Sequence, residues 1–398
     1  MPNRLFYLGS DDKALILYFL GIKISLSKNR FKILNQKGQY KKYLRRIKTS
    51  DKKKILFISH DFSLTGAPLA VFNTARYLHN KGYETLVIAF RDGPLLDSYV
   101  RNGIEAVACS AFNSKSGFFI KSLDNFDFIF ANTVLTYDII EKVYDHKPYL
   151  WRISEGTDII CPGNRKFDRA LINAPKIYAV SEYTKKILKP YNGNVELLIY
   201  GIEDKSPEYL KYYDKKQKLN KLKICVIGTY CRRKAQDLIT GAYNDLPEKT
   251  AEKIEIFFIG KGFNEDKPQK NVHFSGEKLD HEKYKILAQC DVLFCPSLDD
   301  PNPQVVMEAM MMKKPCVISE NVGQKDYITN GVDGFVLKTG SVEEIKNAMT
   351  LLAENPQIID EMSERSYELY KKHFRFEDYI NKVISVIEEQ PENINTKR

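Results

Sequence analysis

The segment from Cys295 to Ser319, CPSLDDPNPQVVMEAMMMKKPCVIS, holds the residue types best suited to chemistry. A short apolar run ends at Pro296 and Ser297, two acids follow at Asp299 and Asp300, and helical spacing resumes near Pro303. Proline at the first helical position, with Asn302 as the cap before it, is a favoured helix start. The amides of Gln304 and Val305 would then be open donors at the positive end of that helix, an anion site suited to a diphosphate. Glu308 follows Asp300 with seven residues between, in the second turn of the same helix. An acid in the loop beside a sugar, and one on the helix against ribose hydroxyls, would both act through charge-assisted hydrogen bonds. Spacing alone also fits a loop aspartate and a helix glutamate with no partnership; the strand, acidic loop, helix and second strand favour a site. Asp299 and Asp300 are adjacent rather than arranged as D-x-D at a strand end, so no metal ligand is assigned.

Other candidates lie nearer the amino end. Gly66, in LTGAP, lets backbone approach a ligand where a side chain would block it, although an ordinary strand-to-helix turn uses glycine in the same way. His60 and Asp61 close the first strong strand, where a lone histidine is more often structural. There is no G-x-G-x-x-G fingerprint: GKGFNE, starting at Gly260, has Glu265 in place of the third glycine. A nicotinamide or flavin enzyme is unsupported, and Gly260 to Asn264 is kept as a loop for contacts to a nucleotide base. A Walker loop and a nucleophile elbow are also missing.

These residues need a scaffold that brings strand ends together. After Lys54, short apolar runs (KILFISH, ETLVIAF, IEAVACS, FDFIFANT, KPYLWRIS, PKIYAVS, VELLIY) alternate with helical stretches such as GAPLAVFNTARYLHNKG. A second series runs from LKICVIG through KIEIFFIG, VHFSG, DVLFCPS and KPCVIS, with helices between. Such alternation means parallel sheets covered on both faces. The expected fold class is α/β with two Rossmann-like domains facing across a cleft, ligands meeting the carboxyl ends of the strands. The domains expected are a basic and apolar amino-terminal segment over 1–53, a first Rossmann-like domain over 54–202 and a polar linker over 203–221. A second Rossmann-like domain over 222–370 follows, then a carboxy-terminal helix returning to the first domain, with a tail, over 371–398.

Several segments in order resemble glycosyltransferase family 4, the group 1 glycosyl transferases. The stretch from Asp300 to Glu308 is similar to the E-x7-E region, with Asp300 in place of the first Glu. SHDFSLTGAPLAVFNTARYL resembles the amino-terminal glycine loop and its helix, and YAVSEYTKKIL a late strand and helix of the first domain. VIGTYCRRKAQDLITGA resembles the G-R-x-x-x-x-K-G segment that opens the second domain. IFFIGKG and NGVDGFVL fit their places too. The resemblance implies the GT-B fold with 54–202 as the acceptor domain and 222–370 as the nucleotide-sugar domain, retaining chemistry without a bound metal, and Lys234 against the donor diphosphate. There a lysine would stabilise the charge that develops as the nucleotide leaves, with Arg233 assisting; a solvated charge run at a helix start is the plain alternative. The chain departs from the pattern at Ser154, where many members have a histidine before the residue matching Glu155, at Thr229 for the usual Arg, and at Ala235 for the usual Gly. Glu155, Arg152 or His60 could take over the missing role, or the chain could be weakly active.

Length and composition fit two globular domains: 398 residues, with 43% hydrophobic and 28% charged. The seven cysteines form no C-x-x-C pair, which points to a reducing cytoplasm. The net charge of +10 is uneven: Lys23 to Lys54 contains thirteen Lys or Arg against Asp51 alone. The apolar run before it, Ala14 to Ile22, falls short of the ~20 residues a membrane helix needs. Two readings are open: an anionic membrane surface at the inner face of the plasma membrane, or a strand or hairpin plus a solvated basic linker. No nucleic-acid motif accompanies the charge. The expected activity is metal-independent transfer of a hexose, with retention, from a nucleotide-diphosphate sugar (UDP-sugar favoured, no cofactor) to a surface-polysaccharide or lipid-linked glycan acceptor. The alternative is an inactive GT-B-like scaffold or glycan-binding subunit of a transferase complex.

Overall fold

The structure is a computed structural model that describes residues 6–10, 14–19, 22–161, 163–212, 221–262, 270–278 and 280–389. Parts of the expected linker (213–220) and base-contact loop (263 onward), and the tail (390–398), lie outside the described residues. Strands β1 (Phe6–Ser10), β2 (Ala14–Phe19) and β3 (Ile22–Ser27) form an antiparallel sheet. A second sheet contains β4 (Lys54–Ser59), β5 (Glu84–Ala89), β6 (Glu105–Ala108), β7 (Phe128–Asn132), β8 (Tyr149–Ile153), β9 (Ile177–Ala179) and β10 (Val195–Leu197), in the order β10-β9-β8-β7-β4-β5-β6. A third contains β11 (Leu222–Ile227), β12 (Ile254–Ile259), β13 (Val272–Phe274), β14 (Val292–Cys295), β15 (Cys316–Ser319) and β16 (Gly334–Leu337), in the order β13-β12-β11-β14-β15-β16. The last two are the parallel α/β sheets that the alternating pattern predicts. By compactness the chain divides between Trp151 and Arg152, inside β8, whereas the sheets change over between Leu197 and Leu222.

Apolar runs without alternation become central parallel strands because both faces are covered. All of β7 and β8 is buried, and β4 and β5 beyond their first residues. In the third sheet Ile224, Val226, Ile256, Phe258, Val292 and Phe294 pack with Ile239, Ala242, Met349 and Leu352 from the helices Asp237–Asn244 and Val342–Glu354. Local chemistry sets the ends: α2 (Gly66–Asn80) stops where Gly82 turns left-handed (φ 97°), and the Ser341 hydroxyl caps the helix Val342–Glu354 through the Glu344 amide.

The basic amino-terminal segment is not a linker. It forms the hairpin strands β1–β3 and then α1 (Lys28–Ile47). Among its described side chains, Tyr40, Tyr43, Leu44 and Ile47 are buried at i, i+3, i+4 and i+7, a stripe sufficient to hold a helix whatever its charge. Tyr40 meets Phe112 and Phe119 and shares a 2.7 Å hydrogen bond with Ser122. Arg46 pairs with Glu84 and Glu105, while Lys41, Lys42, Arg45 and Lys48 are exposed.

The last helix, Phe376–Glu388, packs within the unit that begins at Arg152. The Ile202 amide donates to Phe374 O (2.9 Å), the Phe376 amide to Ile202 O (3.1 Å), and Lys382 Nζ reaches Leu197 O (2.5 Å). Tyr200 stacks edge-on against Tyr379, and the buried Arg152 guanidinium lies over both rings. Gly201 has to be glycine, since a Cβ there would lie 2.1 Å from Arg375 O. Ile380 is fully buried on this helix. Ile380→Ala should lower the unfolding free energy by about 2–4 kcal/mol in urea denaturation. Loss below ~0.5 kcal/mol would mean that the helix is not held by this packing.

Candidate functional site

In the third sheet, strand order reverses between β11 and β14, and ligands in open parallel sheets bind beyond the carboxyl ends at such a reversal. The loop after β11 carries Arg233 and Lys234 in a single 3-10 turn, Arg232–Lys234; the loop after β14 carries Asp299 and Asp300. A backbone bond joins the two loops, from the Leu298 amide to Arg233 O (2.8 Å), and the Asp300 amide donates to Asn321 O (3.0 Å) in the loop after β15. The Gln236 side chain ties down the start of the first loop through Gly228 O and Thr229 O.

Asp300 is buried and ion-paired with Lys234 Nζ, while Arg233 Nη1 stands 3.4 Å from its other oxygen. Burial, the largest single influence, pulls the pKa of both cations down, but the charge and hydrogen bond of Asp300 together with smaller contributions from neighbouring groups raise both above their ordinary values, so they stay charged. Lys234 and Arg233 thus stand side by side at the Asp300 carboxylate.

Asp299, also buried, turns away from its neighbour. Its carboxylate accepts from Thr157 Oγ1 (2.8 Å), the Asp158 amide (3.0 Å) and the Tyr183 hydroxyl (3.2 Å), while its carbonyl accepts from Arg233 Nη1 (2.8 Å). A Cβ on Gly156 would fall 1.9 Å from Asp299 Oδ1, so the loop after β8 reaches this carboxylate only because residue 156 is glycine. Burial, then the nearby Asp299 charge, raises the Asp158 pKa against the pull of Arg233.

Glu308 lies in the second turn of the helix Gln304–Met311, as expected from its spacing, and is buried. Its Oε1 accepts from Lys283 Nζ (2.7 Å) and the Tyr284 hydroxyl (3.0 Å), whereas its Oε2 is buried without a partner. The start of that helix differs from expectation. Pro303 is the extended cap (φ −64°, ψ 117°) rather than the first helical residue, and Asn302 does not cap. Instead the Gln324 amide group donates to Asn302 Oδ1 (2.8 Å) and Pro303 O (3.1 Å) and fastens both. Gln304 and Val305 thus open the helix, so the amide end stays at the reversal point.

The remaining candidates are more scattered. Glu155 shares the loop docked on Asp299, but its carboxylate accepts from the Ser154 amide (3.1 Å) and is an electrostatic neighbour of Arg152. Arg152 is buried under aromatic rings, where burial lowers its pKa. Gly66 begins α2, in the unit before Arg152, and His60 stands 3.4 Å from Asp61 with Nδ1 buried and unpartnered. Gly260 serves the scaffold: its φ is 152°, and a Cβ would lie 2.1 Å from Gly228 O. Thr229 is exposed, and Ala235 adopts the left-handed conformation (φ 50°, ψ 37°) that glycine adopts more easily. Among the described residues no group of three or more His, Cys, Asp or Glu could hold a metal ion.

Comparison with known proteins agrees with this architecture. The family described as glycosyl transferases group 1 matches residues 211–369, and that described as glycosyl-transferase family 4 matches residues 51–157. The Anabaena protein HepE, solved with UDP and glucose, superposes with a TM-score of 0.70 over 85% of this chain and 100% of its own, at 17% identity. The fold is GT-B. A lipopolysaccharide outer core galactosyltransferase superposes over 84% of this GT-B chain and 99% of its own, with a TM-score of 0.65 and 14% identity. An uncharacterised glycosyltransferase of Methanocaldococcus jannaschii is 27% identical over 231 residues, and a second from that organism 23% over 235. These alignments take in 54% and 57% of the GT-B chain but only 58% and 63% of the relatives' own length. A Campylobacter jejuni N,N'-diacetylbacillosaminyl-diphospho-undecaprenol alpha-1,3-N-acetylgalactosaminyltransferase is 30% identical over 87 residues, 22% of this chain and 23% of that protein.

Sequence reasoning missed the Asp299 latch, Lys283 and Tyr284. Nothing local marks them, because their partners are 142 and 141 positions away for Asp299, and 25 and 24 for Glu308. The Lys234–Asp300 pair can be tested by stability. Lys234→Met should cost about 3 kcal/mol by leaving a buried carboxylate short of a cation, and adding Asp300→Asn should recover about 1 kcal/mol or more. Strict additivity of the two changes in urea denaturation would show that they are not coupled.

Proposed function

We propose that this GT-B chain transfers a hexose, with retention and without a bound metal, from a nucleotide-diphosphate sugar to a surface-polysaccharide or lipid-linked glycan. The observation that carries the donor half is Glu308 Oε2, buried and unpartnered one turn into the helix whose amino end adjoins the Lys234, Arg233 and Asp300 cluster. An orphaned carboxylate oxygen costs free energy until a donor arrives, and ribose hydroxyls are such donors. The diphosphate would lie against Lys234, Arg233 and the amides of Gln304 and Val305, with Asp300 turned to the sugar. In front-face substitution, the bond from the anomeric carbon to the diphosphate oxygen breaks while the acceptor oxygen bonds on the same face. The departing diphosphate oxygen takes the acceptor's proton, and Lys234 and Arg233 stabilise its charge. Glu155, Gly66 and Gly260 are proposed as lesser contributors.

UDP is the favoured nucleotide because the HepE structure of the same fold was solved with UDP and glucose. A lipid-linked acceptor is favoured by the Campylobacter jejuni relative, whose name specifies a diphospho-undecaprenol sugar. Calorimetry with UDP, GDP and ADP tests the donor half: one nucleotide should bind saturably, and Glu308→Ala should weaken it about tenfold or more. Binding unchanged in Glu308→Ala would overturn the ribose assignment. No binding of any of the three would favour the inactive scaffold, which the departures at Ser154, Thr229 and Ala235 already suggest.

An anionic membrane surface is the proposed location of the acceptor. No helix among the described residues is long and apolar enough to cross a membrane. The exposed side of α1 and the turn just after it present Lys41, Lys42, Arg45 and Lys48, and Lys41 Nζ stands 5.2 Å from the ring of Phe118, itself 39% exposed. Cations around an exposed aromatic suit a charged headgroup layer over hydrocarbon. Sedimentation with vesicles containing phosphatidylglycerol should bind the protein at low salt, and the Lys41→Glu, Arg45→Glu, Lys48→Glu variant should bind about a hundredfold more weakly. Equal sedimentation of both proteins, or equal binding to pure phosphatidylcholine, would refute the location.

A further inference from the structure

Glu308 is held from behind by a polar cluster that the donor reading does not use. Lys283 and Tyr284 sit on the helix Asp280–Gln289, and both donate to the same carboxylate oxygen, Oε1. The Lys283 ammonium is itself largely withdrawn from solvent and lies 4.7 Å from the Tyr284 ring centroid. Tyr284 is buried, with the Tyr209 ring 5.1 Å from it on one side and Lys205 Nζ 5.1 Å from its centroid. Tyr209 is anchored in turn by a 3.0 Å hydrogen bond between its hydroxyl and His281 Nδ1.

A buried carboxylate without donors would turn towards water. A cation and a hydroxyl on one oxygen hold it in place, and they leave the second oxygen unpaired at a defined place. We infer that Lys283 is the positioning residue of the donor site: it keeps Glu308 turned so that Oε2 alone is presented to a ribose hydroxyl, while Tyr284 fixes the rotamer. The inference rests on the reading of Glu308 as the ribose ligand. Lys283 does not itself touch the nucleotide in this arrangement. Its removal should therefore affect the energy gained from the ribose hydroxyls and leave that gained from the diphosphate.

The test compares UDP with 2′,3′-dideoxy-UDP by calorimetry, on the full chain and on Lys283→Met, Lys283→Arg and Tyr284→Phe. The wild type should bind UDP about tenfold or more tightly than the dideoxy compound, as expected for hydrogen bonds to a charged acceptor. In Lys283→Met the two affinities should converge to within about threefold, with the dideoxy affinity near that of the wild type. Lys283→Arg should restore the discrimination and Tyr284→Phe should lose part of it. Full discrimination retained in Lys283→Met would overturn the inference while leaving the ribose assignment intact. So would an equal loss for both nucleotides that arginine fails to rescue, which marks a merely structural role. A wild type that binds the two nucleotides equally, or binds no UDP, would overturn the ribose assignment and the inference together.

Discussion

Two carboxylates on adjacent residues, both out of solvent, have to be neutralised separately, and the site is organised around how this is done. Asp300 takes the cations of the turn Arg232–Lys234; Asp299 takes three neutral donors from the loop after β8 and the start of the helix Glu182–Leu188. A buried charge without partners is far more expensive than the backbone distortion needed to supply them. The two side chains therefore draw distant segments to one short loop. Arg233 joins both halves of the arrangement, since its guanidinium bonds the carbonyl of Asp299 and faces the carboxylate of Asp300.

That convergence needs backbone to come very close to other atoms. A Cβ on Gly156 would overlap the Asp299 carboxylate, one on Gly323 would lie 1.7 Å from Pro301 O, and one on Gly260 would meet the carbonyl of Gly228. These glycines are steric requirements of the loops and need no ligand to explain them. Ala235 shows the opposite economy: it holds a left-handed conformation with a methyl group, at a strain of about 1–2 kcal/mol. Buried Gln236 follows it directly and secures the start of the same loop, so the surroundings dictate the conformation of this turn.

Charge is distributed with the same division of labour. On α1 the buried stripe of Tyr40, Tyr43, Leu44 and Ile47 holds the helix, while Lys41, Lys42 and Arg45 are exposed. Around Asp300 and Glu308, by contrast, every cation named is bonded within the protein. Lys234 faces Asp300, Arg233 faces the Asp300 carboxylate and the Asp299 carbonyl, and Lys283 faces Glu308. The open group there is an acceptor, Glu308 Oε2.

The strands, most of the helices, the two-sheet α/β class and the spacing of Asp300, Glu308 and Lys234 could all be read from the chain. Each depends on local periodicity or on short-range turn chemistry. The apolar runs of β4, β5, β7 and β8 specify buried parallel strands wherever they are placed, and seven intervening residues put Glu308 one turn inside a helix that starts near Pro303. The basic run of α1 was harder to read, because its helix depends on four apolar residues whose value appears only when Phe112 and Phe119 are beside them. Tertiary structure alone decided that Asp299 receives Thr157 and Tyr183, that Lys234 and Asp300 are one ion pair, and that Lys283 and Tyr284 occupy one oxygen of Glu308 and leave the other open. Those bonds join residues tens of positions or more apart, and their geometry is set by the order of strands in the sheets. Amino-acid types determine what each group can donate or accept; the strand order determines which groups come within 3 Å of one another.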